Sequence, residues 1–246
     1  MSPTIEDTKL AASEKTKISP DPTWQGVYRV GGVCLLLTGL IYLIGAVLSI
    51  ILGPAPSSGE QYLKSVAGHA LLAQINFALF ALTDFLLLPV SLAFYLALKH
   101  LARNAMLIAA GLMALFIVLD LAITEMNSLS LVTLTQHYAA ATSETQRSAY
   151  VAAADYALAT LPIATFYSYV VSSAGFLITS IVMLKGTFSR PTAFLGITAC
   201  VEGIIGGLYV ILPTLAVLLI PSLVTFGIWS LFAGSRLCQL GKLQYV

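Results

Sequence analysis

The sequence predicts an all-α, polytopic membrane bundle of about six transmembrane helices, with both termini cytoplasmic and a helical hairpin projecting on the outer side. Three observations carry this. Of the 246 residues, 58% are hydrophobic and only 9% charged, with a mean hydropathy of +0.91, more apolar surface than one water-soluble core can hide. Six apolar stretches approach or exceed the roughly 20 residues that an α-helix needs to cross a bilayer. The basic residues also fall almost wholly on one side of those stretches. Lys9, Lys15, Lys17, Arg29, Lys99, Arg103, Lys185, Arg190, Arg236 and Lys242 lie on the side of the amino terminus, against only Lys64 and Arg147 opposite.

Residues 1–24 are polar, of mixed charge and proline-containing, and read as a disordered cytoplasmic tail. The membrane domain follows over 25–242, with 243–246 as a short carboxy-terminal tail. Its expected spans are Tyr28–Leu52, Leu71–Leu98, Asn104–Asn127, Ile163–Leu184, Thr192–Leu212 and Leu215–Leu237, the last two divided by Pro213. The first apolar run is too long and begins too late for a signal peptide. Between the first two spans, Gly53 to Gly59 breaks the helix, and Glu60 to His69 suits a short amphipathic segment at the outer interface. Between the third and fourth, helix-compatible sequence continues to about Ala141, so the third helix is expected to project outward. Ser143-x-x-Gln146 is a capping box for the returning helix, and Leu161-Pro162 marks an expected kink or restart before the fourth span. This outer cap spans about 126–162.

Function classes narrow by exclusion. A net charge of +1 with no basic patch argues against nucleic acid. No phosphate loop, HExxH, GxSxG elbow or Rossmann fingerprint occurs. Cys34, Cys200 and Cys238 lack metal-type spacing and read as packing residues. His69 and His137 fall outside and His100 inside, so the three cannot share a metal, although two outer histidines with Glu125 or Asp155 are a geometric option. No cofactor and no metal is expected, and without a nucleophile or metal set an enzyme is disfavoured.

Three acids stand out: Asp84, Asp120 and Glu202, each deep in an apolar span with no lysine or arginine at that depth. An acid at the centre of a span costs roughly 2.5–3.5 kcal/mol on insertion scales, so it ordinarily faces a bundle interior or a water-filled path. Counting along the spans puts Asp84 and Glu202 near the midplane and Asp120 nearer the outside. Asp120, Thr124, Asn127 and Ser128 share one helical stripe, from which Glu125 points away. Thr198, Glu202, Gly206 and Tyr209 form another. Asp84, Asp120 and Glu202, with Thr124, Asn127 and Tyr209, are therefore candidates to bind a proton, a cation or the basic part of a small molecule. Glu125, His137 and Asp155 are candidates for an outer-face site. In the competing reading, each acid is hydrogen-bonded to a hydroxyl or carbonyl and serves only to fix helix packing. Gly203 and Gly207 form a GxxxG contact, and Trp24, Tyr28, Tyr138 and Trp229 read as interfacial anchors.

Tyr28-Arg29-Val30-Gly31-Gly32, Asp84, Ala154-Asp155-Tyr156 and Ser189-Arg190-Pro191-x-x-x-Leu195-Gly196 together resemble a bacterial six-helix integral-membrane family catalogued as a domain of unknown function. The resemblance covers about Gly26 to Lys242 and implies a bacterial inner-membrane protein surrounded by lipid. It supplies no catalytic residues. The function expected first is a small proton- or cation-coupled transporter. The alternatives are a non-catalytic membrane subunit that binds a protein partner and an intramembrane lipid-modifying enzyme.

Overall fold

A computed structural model describes residues 21–53, 56 and 58–242. Residues 1–20 and 243–246 of the expected tails lie outside the described residues. The end of the expected amino-terminal tail is ordered: Thr23 donates from its backbone N–H to Asp21 Oδ1 at 2.9 Å, and Pro22–Trp24 form a 3-10 turn.

Described residues form helices and connecting turns, with no strand among them. In chain order these are α1 (Gln25–Leu52), α2 (Gly59–Ala67), α3 (Ala70–Leu119), a π-helical turn (Asp120–Glu125), α4 (Met126–Ala140), α5 (Glu144–Met183), α6 (Arg190–Gly207) and α7 (Leu219–Leu240). Short 3-10 turns, Leu208–Val210 and Pro213–Leu218, link α6 to α7. Five helical stretches are long and apolar enough to cross a membrane. One of them, Leu71–Ala140, contains two of the expected spans, because α3 bends at Ala102, where φ is −160° and ψ is 73°. The polar run Lys99, His100, Arg103 and Asn104 brackets that bend.

The bend folds α3 into two antiparallel arms. Leu88, Ser91, Leu92 and Tyr95 of the first arm share a cleft with Leu107, Ala110, Ala114 and Ile117 of the second. The spanning helices then close a ring in the order α1, first arm, second arm, α5, α6, α7 and back to α1. Lipid tails are as apolar as leucine, so apolar burial alone does not draw such helices together; close backbone approach does. The α1–α7 seam shows how. Gly32 and Gly39 of α1 oppose Gly234 and Gly227 of α7. A methyl group on Gly32 would lie 2.9 Å from the Gly234 carbonyl, and one on Gly39 would lie 2.8 Å from the Gly227 carbonyl. On the other flank of α1, Val30, Val33, Leu37, Leu40, Ile44 and Val47 are exposed, an apolar stripe suited to lipid.

Inside the ring an aromatic column runs along one half of the axis. Tyr42 packs on Phe226 (4.8 Å between centroids), Phe226 on Phe176 and Trp229 (4.9 and 5.3 Å), Trp229 on Phe94 (5.8 Å), and Phe94 on Phe188 (6.0 Å). Trp229 and Tyr28 are therefore core residues, 0% and 1% exposed, and not interfacial anchors. Trp24 does sit at a surface, with the Lys99 ammonium 5.9 Å from its ring centroid.

At the other end the ring is roofed by α2, α4 and the first part of α5. Leu63, Leu131, Ala154 and Ala157 form a separate small core there, bordered by Tyr62, Leu134, Tyr138 and Tyr150. Ser143 caps α5 as expected by accepting from Gln146 N–H at 3.3 Å, while Gln146 Oε1 reaches back one residue further, to Thr142 N–H at 3.2 Å. No restart occurs at Pro162: the helix runs unbroken from Glu144 to Met183, since proline removes only one hydrogen bond and neighbouring helices hold the turn in place.

Candidate functional site

The bend at Ala102 decides which acids meet. Asp84 lies 18 residues before it and Asp120 lies 18 after it, so the two arms carry them to one level, about 27 Å from the bend at 1.5 Å per residue. Asp120 is therefore not closer to the outside than Asp84, as span-by-span counting placed it. A carboxylate oxygen of each lies within 4.8 Å of one on the other.

Glu125 joins them through the π turn. In a regular α-helix, residues five apart point about 140° away from each other, which is why Glu125 falls off the stripe of Asp120. Asp120–Glu125 instead form one turn of π-helix, whose i→i+5 hydrogen bonding stacks Glu125 over Asp120. One oxygen from each of Asp84, Asp120 and Glu125 then lies within 4.8 Å of the other two. Asp84 is 1% exposed and Glu125 8%, and Asp84 Oδ2 and Glu125 Oε2 have no hydrogen-bond partner.

Hydroxyl groups surround the triad. Thr83 is buried beside Asp84 and donates to the Phe80 carbonyl at 2.7 Å, and the Tyr42 hydroxyl lies within reach of the Thr83 side chain. Thr124 and Ser168 share a hydrogen bond of 3.1 Å. Tyr209 approaches Thr165 in the same way. Both basic side chains on the cap side are engaged elsewhere: Lys64 pairs with Glu60 at 2.5 Å and Arg147 with Glu144 at 4.0 Å.

Two members of the triad, Asp120 and Glu125, face open space that forms a vestibule. A cavity of about 240 Å³ is lined by Asp120, Glu125, Tyr42, Thr124, Ser128 and Tyr169. Glu125 and Ser128 also line a second cavity, of about 410 Å³, which reaches exposed His69 on the cap. A third, of about 900 Å³, lies between the end of α1, α5 and the start of α7, and shares Thr165, Tyr169 and Leu223 with the first. Tyr42, Phe176 and Phe226 of the aromatic column border a further cavity of about 50 Å³, which shares Tyr42, Phe116, Tyr169, Ser172 and Leu223 with the 240 Å³ one.

The remaining candidates disperse. Glu202 is half-buried on α6 with Oε2 unpartnered, and it stands outside the triad. Tyr209 lines the 900 Å³ cavity, and Thr124 lines the 240 Å³ one. Asn127 lines none of these, whereas Asp120, Thr124 and Ser128 of the same expected stripe line the 240 Å³ cavity together. The expected outer-face set does not assemble. Glu125 belongs to the triad, His137 stacks on Tyr150 at 5.8 Å, and Asp155 Oδ1 accepts from Gly59 N–H at 2.5 Å, fastening the start of α2. Gly203 and Gly207 pack against Ser173 and Tyr169 of α5, within the bundle.

Fold and site together define a multi-pass helical membrane protein with an interior carboxylate triad, buried at Asp84 and Glu125 and half-buried at Asp120. The chain belongs to the DUF4386 family, a domain of unknown function whose model matches residues 30–238. No curated protein matches it, and no solved structure does.

Proposed function

We propose that this chain is a small proton- or cation-coupled transporter whose ion site is Asp84, Asp120 and Glu125. The observation that carries this reading is the convergence of three carboxylates within 4.8 Å of one another, two of which, Asp120 and Glu125, line a cavity beside the one that reaches the cap. Alternating access requires an ion site in the bundle interior that space within the protein connects to a face. Three acids without a basic partner, next to water-accessible space, are expected of an ion pathway and are costly for packing alone. The basic-residue asymmetry supports a cytoplasmic amino terminus and an outward-facing vestibule, and the family resemblance supports the bacterial inner membrane.

The test is flux. Full-length protein reconstituted in vesicles with an internal pH dye is subjected to a potassium diffusion potential, with and without external divalent salts. Proton or cation flux that disappears in the combined variant Asp84→Asn, Asp120→Asn, Glu125→Gln supports the reading. Wild-type vesicles as tight as protein-free ones under every ion condition would sink it.

A further inference from the structure

We infer that the Asp84–Asp120–Glu125 triad is a binding site for a hard divalent cation of the Mg²⁺, Mn²⁺ or Ca²⁺ class. This deepens the transport reading and rests on its premise that the triad takes a cation.

Distance is the first argument. Hard divalent ions bind oxygen at about 2.0–2.6 Å, so two ligand oxygens on opposite sides of one ion are separated by about 4–5 Å, and adjacent ones by less. The oxygens of the triad, all within 4.8 Å of one another, already lie inside that envelope. One ion reaches all three with side-chain adjustment alone.

The second argument is the state of the oxygens. Asp84 is 1% exposed and its Oδ2 has no partner; Glu125 is 8% exposed and its Oε2 has none. Buried acceptors are ordinarily satisfied, and an unpaired one needs an explanation. Here both belong to one cluster, and Glu125 borders the 240 and 410 Å³ cavities that supply a route from the cap surface.

Ligand chemistry sets the class. All three donors are carboxylate oxygens, with no cysteine or histidine in the cluster, which suits Mg²⁺, Mn²⁺ and Ca²⁺ and gives zinc none of its preferred nitrogen or sulfur ligands. The triad supplies three positions of a six-coordinate shell. Water from the vestibule completes it, as Mg²⁺-type ions ordinarily keep several waters.

The deciding experiment is an equilibrium titration of detergent-purified full-length protein with Mn²⁺ alone, after stripping with a chelator. Electron paramagnetic resonance of free Mn²⁺ reads occupancy. The expected result is one saturable Mn²⁺ per chain, displaced by Mg²⁺ or Ca²⁺. Affinity should fall at least tenfold in Asp84→Asn and in Glu125→Gln and stay unchanged in Glu202→Gln, which lies outside the triad. Retained affinity in Glu125→Asp would show that the carboxylate is what matters. Absence of a saturable site in wild type up to millimolar Mn²⁺ overturns the inference, whatever the variants do. Equal loss in Glu202→Gln, or no loss in well-folded triad variants, overturns it also. Binding without flux leaves the metal site and removes the transport reading, whereas flux without Mn²⁺ binding does the reverse.

Discussion

Amide substitution in the triad distinguishes an ion site from a packing device by the sign of its effect on stability. Any two of the three carboxylates have oxygens no more than 4.8 Å apart. At an effective dielectric constant of about 20, two unit charges at that separation repel by about 3.5 kcal/mol. Asp84→Asn removes two of the three pairs, about 7 kcal/mol for full charges at that separation, which bound protons and vestibule water reduce. The ion-free variant should therefore melt higher than ion-free wild type. Each kcal/mol recovered corresponds to roughly 2–4 °C for a chain of this size. Divalent cation should reverse the order. Mn²⁺ at a hundred times its dissociation constant adds about 2.7 kcal/mol to a protein that binds it and nothing to one that does not. Thermal unfolding of detergent-purified wild type and Asp84→Asn, each with chelator and with Mn²⁺, measures all four states. A lower melting temperature for Asp84→Asn in chelator, with no Mn²⁺ effect on wild type, would refute the reasoning. The carboxyl would then be a hydrogen-bonding strut.

Four further expectations follow from the helices and their contacts. Gly32→Ala should cost about 1–3 kcal/mol, because its methyl would meet the Gly234 carbonyl at 2.9 Å and Cys238 N at 2.7 Å, backbone that cannot yield. Gly111→Ala, with nothing within 4 Å, should gain about 0.5–1 kcal/mol from helix propensity, and thermal melts compare the two. Asp155→Ala should free the start of α2 at a cost of about 1 kcal/mol and raise hydrogen exchange around Gly59, while Asp155→Asn keeps an acceptor there and changes less. Deleting exposed Ala122 should convert the π turn to α-helix and leave Asp120 and Glu125 four apart on one face, so Mn²⁺ binding survives; inserting an alanine at that point should abolish it.

Much of this architecture is legible in the chain because lipid leaves few options. The spans follow from the lengths of the apolar runs, the projecting third helix from the lack of a breaker between Asn104 and Ala141, and the cap of α5 from Ser143 and Gln146. Asp84 and Asp120 are conspicuous as uncompensated acids, and their equal distance from the Lys99–Arg103 bend is a signal that could have paired them. Glu125 is the member that pattern reasoning misses. Its place in the triad depends on one widened helical turn, and neither hydropathy nor residue type in Asp120-Leu121-Ala122-Ile123-Thr124-Glu125 announces an i→i+5 ladder. Glu202 is the converse case. Its depth in the chain resembles that of Asp84, but depth along a helix fixes height and not direction, and α6 does not turn it towards the triad.

Tyr42 links the two halves of the interior. Its ring lies 4.8 Å from Phe226 at the head of the aromatic column and 5.7 Å from Phe80 on the vestibule wall, while its hydroxyl reaches Thr83 beside Asp84. Gathering three carboxylates around a cation draws their oxygens inward and alters the field at that hydroxyl. The ring to which the hydroxyl is attached is the first member of the seal. Under the transport reading, this is where occupancy of the ion site would be felt by the column. The α1–α7 seam, locked by reciprocal glycine contacts at Gly32–Gly234 and Gly39–Gly227, offers Tyr42 no backbone freedom of its own. Under that same reading, the side chains placed to loosen the column by changing rotamer are the ring partners of Tyr42, Phe80 of α3 and Phe226 of α7.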